Sequence, residues 1–204
     1  VNEAIARAGK PVITLLSDVA APERKAYISV DSRRAGRAAG WAIGRLARKP
    51  GEIGILLGSH RYLSQELAEV SFRSYMREAA TDFQLLEPLV NLDDPRIAYE
   101  AVVDMIASNP DLVGIYAAGG GAEGLVQALR DEGAGGRIIA VCNELTSTTR
   151  GALIDGTLDV VLDTPAVAIS HAAVDILARL SNGENWDMVQ MIQLPANLII
   201  SESL

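Results

Sequence analysis

The feature that most constrains this chain is a rhythm of short apolar runs rich in valine and isoleucine, each followed by a segment with helical spacing. Runs this short and apolar throughout belong to strands buried on both faces, which makes the sheet parallel and places helices between its strands. The pattern predicts strands at PVITLLS (11–17), AYISVD (26–31), EIGILLG (52–58), QLLEPLV (84–90), LVGIYAA (112–118), RIIAVC (137–142) and LDVVLD (158–163). MVQMIQLP (188–195) or NLIIS (197–201) adds one more. Helices are predicted over 32–48, 64–79, 96–109, 122–133, 146–156 and 165–183. In the second helix, Leu67, Val70, Phe72, Tyr75 and Met76 recur at nearly helical spacing and predict one buried stripe. Gly133 and Gly183 stand at C-cap positions, and Pro110 stops the helix that ends at Asn109. The fold class is therefore α/β, with more strands than one small sheet holds.

Nearly half of the 204 residues are apolar, enough to bury a core without disulfides. A formal charge of −8 argues against this piece gripping a phosphate backbone, which needs clustered lysine and arginine. Cys142 is the single cysteine, and its place in RIIAVC makes it a buried thiol rather than a nucleophile. A free thiol and the lack of a signal peptide lean to a cytoplasmic location. No apolar run approaches the ~20 residues of a membrane span. The opening VNEAIARAGKP has no methionine, so the chain reads as a fragment whose start lies upstream.

The stretch YAAGGGAEG (116–124) spells G-x-G-x-x-G through Gly119, Gly121 and Gly124, between an apolar run and a helical segment, and Glu144 ends the next apolar run. That is the written form of a dinucleotide site. However, such folds place the glycine loop after their first strand, whereas about four predicted strands precede Gly119. The other reading is a loop that turns tightly or approaches a ligand before a helix. In a doubly wound sheet ligands sit at the carboxyl ends of the strands. The groups that follow the apolar runs are Ser17 and Asp18; Asp31 and Ser32; Ser59, His60, Arg61 and Tyr62; Gly119 to Gly121; Asn143 and Glu144; and Asp163 with Thr164.

PVITLLSD, AYISVDSRRAGRAAGWAIGRL, EIGILLGS, PDLVGIYAAGGGAEGLVQAL, RIIAVCNELT and GTLDVVLDTP resemble, in order and spacing, the sugar-binding region of lactose-repressor-type transcription regulators. The same region is similar to periplasmic ribose- and galactose-type binding proteins. The most specific pieces are V-D-x-x-x-A-G-R-x-A-G at 30–40 and G-x-L-D-x-x-x-D-x-P at 156–165. The resemblance implies two Rossmann-like lobes of parallel sheet, of the type I periplasmic-binding-protein kind, joined by three crossovers. On that template 1–31 with 164–188 form a partial N-terminal lobe, and 32–163 with 189–204 form the C-terminal lobe. The family's first βα units and the helix-turn-helix headpiece of its regulators are absent from this chain.

The same template names candidate ligand residues. Asp31 stands where the family has Asp; Ser32 replaces the usual Asn, and either residue also suits a helix N-cap. Asp18 follows a strand end that commonly supplies a pocket residue. Glu66 occupies the place of the family's sugar-binding arginine, which leaves Arg61 as the nearest cation and Tyr62 as a ring to stack on a sugar face. At Gly120 and Gly121, where the family has Asn-Asp, contacts fall to backbone amides. Glu144, preceded by Asn143, replaces an Asp, and Asp163 aligns with a position often held by Gln. Carboxylates accept hydrogen bonds from vicinal hydroxyls, so a sugar, a polyol or an amine-bearing analogue fits and an anion does not.

His60 and His171 lack metal-ligand neighbours in the sequence, and no G-x-S-x-G elbow is present. Neither a cofactor, a metal nor a catalytic residue is expected. The reading is an effector-sensing module of a lactose-repressor-type regulator, a homodimer controlling DNA through the missing headpiece. A periplasmic sugar receptor of a transporter is the alternative. An NAD-dependent enzyme using Gly119 to Gly124 is a further rival.

Overall fold

The computed structural model describes residues 2–18, 21–184 and 188–204. Along the chain run α1 (Asn2–Ala8), β1 (Val12–Leu15), β2 (Arg24–Val30), α2 (Ser32–Leu46), β3 (Glu52–Leu57), α3 (Leu63–Ala79), β4 (Gln84–Leu85), β5 (Leu89–Val90) and α4 (Pro95–Ser108). They are followed by β6 (Leu112–Ala117), α5 (Ala122–Asp131), β7 (Ile139–Asn143), α6 (Ser147–Ile154), β8 (Val160–Asp163), α7 (Ala166–Ser181), β9 (Gln190–Leu194), β10 (Asn197–Ile199) and a short 3-10 turn at Ser201–Ser203. The elements form two units, Val1–Asp31 with Pro165–Ala196 and Ser32–Thr164 with Asn197–Leu204. The chain passes from one to the other after Asp31, after Thr164 and after Ala196.

In the smaller unit β1, β2 and β9 form a parallel sheet in that order. Ala26 and Ile28 of β2 pack against Ile169, Ala173 and Ile176 of α7. The sequence assigns 189–204 to the C-terminal lobe, and here the structure differs. β9 pairs with β2 from Ala26–Gln190 to Val30–Leu194 and satisfies an edge that would otherwise be left open, so only Asn197–Leu204 joins the larger unit. Helix α1 is not among the predicted elements.

In the larger unit the sheet order is β10-β8-β7-β6-β3-β4, with β5 also on β3; β10 is antiparallel and the rest are parallel. The predicted strand 84–90 is split into β4 and β5 because Pro88 has no N–H to give the ladder. Every residue of β6 is buried, as a central parallel strand requires. Leu125, Leu129, Ile138, Val161 and Ala140 make up part of one continuous core on this sheet. The A-G-R-x-A-G motif has a packing reason: a side chain at Gly36 would overlap the Ala68 carbonyl, and one at Gly40 would lie 2.8 Å from the Tyr75 ring. Helices α2 and α3 thus approach each other closely along glycine. Phe72 of α3 stacks on Tyr116 of β6 with centroids 5.1 Å apart. Val70 is 48% exposed, so the buried stripe of α3 runs through Ala68, Glu69, Phe72 and Met76 instead. Glu69 is tolerated there by its ion pair with Arg73 at 2.5 Å.

Candidate functional site

Parallel strands direct their carboxyl ends to one edge, and in the larger unit the turns after β5, β3, β6, β7 and β8 meet along that edge. Side chains stitch each turn to its neighbour. Gln65, in the first turn of α3, accepts from the backbone N–H of Gly58 at 2.8 Å and of Ser59 at 3.0 Å through Oε1. Asn91, after β5, donates Nδ2 to the Gly120 carbonyl at 2.9 Å and accepts the Asp93 N–H at 2.9 Å. Asp93 Oδ1 in turn accepts the Gly120 N–H at 2.7 Å. Asn143 Nδ2 donates to the Ala118 carbonyl at 2.9 Å, which ties β7 to the glycine loop.

Glu144 and Asp163 occupy the tips of the adjacent strands β7 and β8. Glu144 takes a left-handed backbone with φ 67°, held by its N–H to the Leu162 carbonyl and by the Thr149 hydroxyl donating to its carbonyl at 2.9 Å. Its Oε1 accepts from the Thr164 hydroxyl at 2.6 Å, and Asp163 Oδ1 accepts the Leu145 N–H at 3.0 Å. Among the described residues no cation pairs with either carboxylate, and each keeps its second oxygen unengaged. Leu92 and Asp93 share φ 56°, so the Asn91–Asp93 turn is strained as well. Such conformations cost about 1–3 kcal/mol each and persist where neighbouring bonds over-determine them.

Beneath the tips, burial holds the Tyr116 phenol above its ordinary range and pushes the Cys142 thiol up to about 12. Cys142 is therefore an inert core thiol. The Asn143 amide lies near enough to the Tyr116 hydroxyl to influence it, yet no hydrogen bond of ordinary geometry joins Asn143 Oδ1 to that hydroxyl.

The other candidates fall in two places. Asp18 belongs to the smaller unit, where its Oδ1 accepts from the Thr14 hydroxyl at 2.8 Å and its Oδ2 pairs with Arg24. Both oxygens are committed to that unit's own fold. Asp31 also lies there, its N–H extending the β2–β9 ladder to the Leu194 carbonyl at 2.8 Å. Ser32 opens α2 in the larger unit. Arg61, Tyr62 and Glu66 cluster after β3, all exposed; Tyr62 holds the N-cap position of α3 without a side-chain cap, and its ring is open to solvent.

The glycine loop does not keep its fingerprint for a pyrophosphate. Both backbone groups of Gly120 are taken by Asp93 and Asn91, and a side chain at Gly119 would overlap the Gly58 amide while one at Gly124 would overlap the Pro95 carbonyl. The glycines exist so that β6's turn can pack against its neighbours, which corrects the expectation that Gly120 offers its amide to a ligand. Gly121, at φ 85°, makes the turn into α5. Gln65, Asn91 and Asp93 are the residues that sequence reading misses. Asn91 directly follows an apolar run, and that position was its one available signal.

A family model described as a periplasmic binding protein domain matches residues 1–185. The chain belongs to that family. Solved structures agree on its fold. An ABC transporter solute-binding protein from Agrobacterium vitis, bound with alpha-D-tagatopyranose, superposes with a TM-score of 0.87 at 20% identity over 98% of this chain and 70% of its own. GanP, a glucose-galactose binding protein from Geobacillus stearothermophilus, gives 0.87 at 20% identity over 100% and 72%. A periplasmic solute-binding protein from Actinobacillus succinogenes, with bound D-allose, gives 0.86 at 18% identity over 98% and 73%. No curated protein matches. The fold is thus the type I periplasmic-binding-protein α/β fold read from the sequence, and this periplasmic-binding-protein domain is a binding protein rather than an enzyme.

Proposed function

We propose that the chain binds a neutral monosaccharide or related polyol at the carboxyl edge of its larger unit, as the recognition domain of a transporter's solute receptor. The observation that carries this reading is the pair Glu144 and Asp163, adjacent strand-tip carboxylates that lack cation partners among the described residues and retain one open oxygen each. Two such acceptors suit vicinal hydroxyls and repel an anion. The exposed Tyr62 ring supplies an apolar face for the sugar's C–H groups, and Arg61 supplies a donor at the same edge. Ligand that binds one arrangement of the domain better than another shifts the population toward it, which is the signal a receptor passes on. The sugar-bound relatives support the same ligand class.

The lactose-repressor-type reading, with a homodimer and DNA bound through a further segment, rests on the ordered resemblance whose most specific pieces are the run at 156–165 and, above all, the motif at 30–40, while its cytoplasmic location leans on the free thiol of Cys142. Gly36 and Gly40 of that motif serve the contact between α2 and α3, a need that a receptor shares. The motif therefore does not favour a regulator over a receptor.

Calorimetric titration with neutral aldoses and ketoses, and with their phosphates, tests the ligand class. At least one neutral sugar is expected to bind with no sugar phosphate displacing it; a phosphate whose binding is lost in Glu144→Ala or Asp163→Ala, where every neutral sugar fails, overturns it. The reading frame upstream of the Val1 codon separates receptor from regulator: a basic, apolar leader supports the first, and a helix-turn-helix segment the second.

A further inference from the structure

We propose that the larger unit carries a second ligand site, at the amino edge of its sheet, for a small phosphate-type anion attached to an apolar body. A cavity of about 360 Å³ opens there, within the size range of small-molecule sites. Its floor is apolar, formed by Ala47 after α2, Val113 near the start of β6 and Ile139 at the start of β7; Val113 and Ile139 are only 6% and 8% exposed. Its rim is cationic, formed by Arg48 and Lys49 from the connection after α2 and by Arg137 from the segment before β7. Gly136, at φ 70° with no atom near its absent side chain, leaves the mouth open. Val113 and Ala117 lie about 13 Å apart along β6 at ~3.3 Å per residue, so this site is distinct from the sugar edge.

The charge there runs against the chain's −8. Among the described residues neither Arg48 nor Arg137 has an acid partner. Lys49 has, among the described residues, Asp111 alone, at 3.7 Å between side chains 68% and 77% exposed, a pairing that water weakens. Asp159, at the head of the next strand, directs its carboxylate to the Ala140 N–H at 2.8 Å. Two guanidinium groups brought from separate segments offer the planar, paired donors that phosphate oxygens accept. The apolar floor then selects an anion that carries a ring or short chain over a bare one.

Phenyl phosphate is the probe, followed through the backbone amide resonances of Gly136 and Ile139, with inorganic phosphate and phenol as partial probes. Saturable shifts are expected, with each partial probe weaker by roughly tenfold, the size of one charged contact or a small apolar one. The double variant Arg48→Ala/Arg137→Ala weakens phenyl phosphate by at least about tenfold, while its thermal unfolding and its sugar titration match the parent. No saturable shift at millimolar probe, equal affinity in the double variant, or inorganic phosphate bound as tightly as phenyl phosphate overturns the proposal. Sedimentation with phosphatidic acid vesicles assigns the source. Capture lost in the double variant makes the anion a lipid headgroup, and phenyl phosphate binding without capture makes it a free metabolite.

Discussion

Replacing Asn91 with alanine tests whether one buried amide holds the glycine loop in its binding shape. Asn91 is 1% exposed, and its side chain makes two 2.9 Å hydrogen bonds, to the Gly120 carbonyl and from the Asp93 N–H. A hydrogen bond is worth about 1 kcal/mol net, and a buried group left without a partner costs about 1–3 kcal/mol. Gly120 is exposed, so water replaces part of the loss at its carbonyl, and the low end applies. Asp93 is exposed as well, but its amide loses the acceptor that helps fix its φ of 56°. The sum is a destabilisation of about 2–3 kcal/mol, or a fall of about 4–12 °C in Tm for a chain of this size. Urea unfolding measures the free energy. Hydrogen exchange of the Gly120 amide, which donates to Asp93, reports whether the loss is local. A stability change below about 0.5 kcal/mol, with Gly120 protection unaltered, would refute the reasoning, because Asn91 would then be a passenger.

Gly124→Ala places a methyl group against the Pro95 carbonyl and should cost about 1–3 kcal/mol through displacement of α4 from α5, read by the same unfolding curves. Cys142, with its thiol pushed up to about 12 by burial, should resist iodoacetamide at neutral pH in the folded chain and react fully in denaturant. Burial raises the pKa of Asp159 despite the Ala140 N–H it accepts, so the folded state binds its proton more tightly than the unfolded state and the ionised carboxylate costs stability. Asp159→Asn keeps the acceptor oxygen and should be more stable than the parent at neutral pH. The advantage should shrink as pH falls from the raised value of the folded carboxyl down to the ordinary value of the unfolded one, measured by unfolding midpoints across pH.

The sheet of the larger unit was legible because its strands are apolar on both faces, so β3, β6, β7 and β8 stand out from the helices between them, and their polar followers mark one edge. That is how Glu144 and Asp163 are assigned to the tips of β7 and β8. Asn91, Asp93 and Gln65 were not legible, because N-L-D-D-P looks like a linker until β5 and β6 take their places on either side of β3, and the bonds of Asn91 and Asp93 to Gly120 span nearly thirty residues of sequence. The glycine fingerprint is ambiguous in the sequence for the same reason: its glycines answer to neighbours in space, Gly58, Asp93 and Pro95, that local spacing does not reveal. β9 was placed in the wrong unit because its run is equally apolar whichever sheet receives it, and only its register with β2 decides.

The most direct test of the central claim is a calorimetric comparison of the parent, Glu144→Ala and Asp163→Ala with the neutral monosaccharide that the parent binds best. Each variant should stay folded and weaken binding by more than ~1 kcal/mol, at least about fivefold. A sugar that binds all three with equal affinity would contradict it, and would move the ligand away from the tips of β7 and β8.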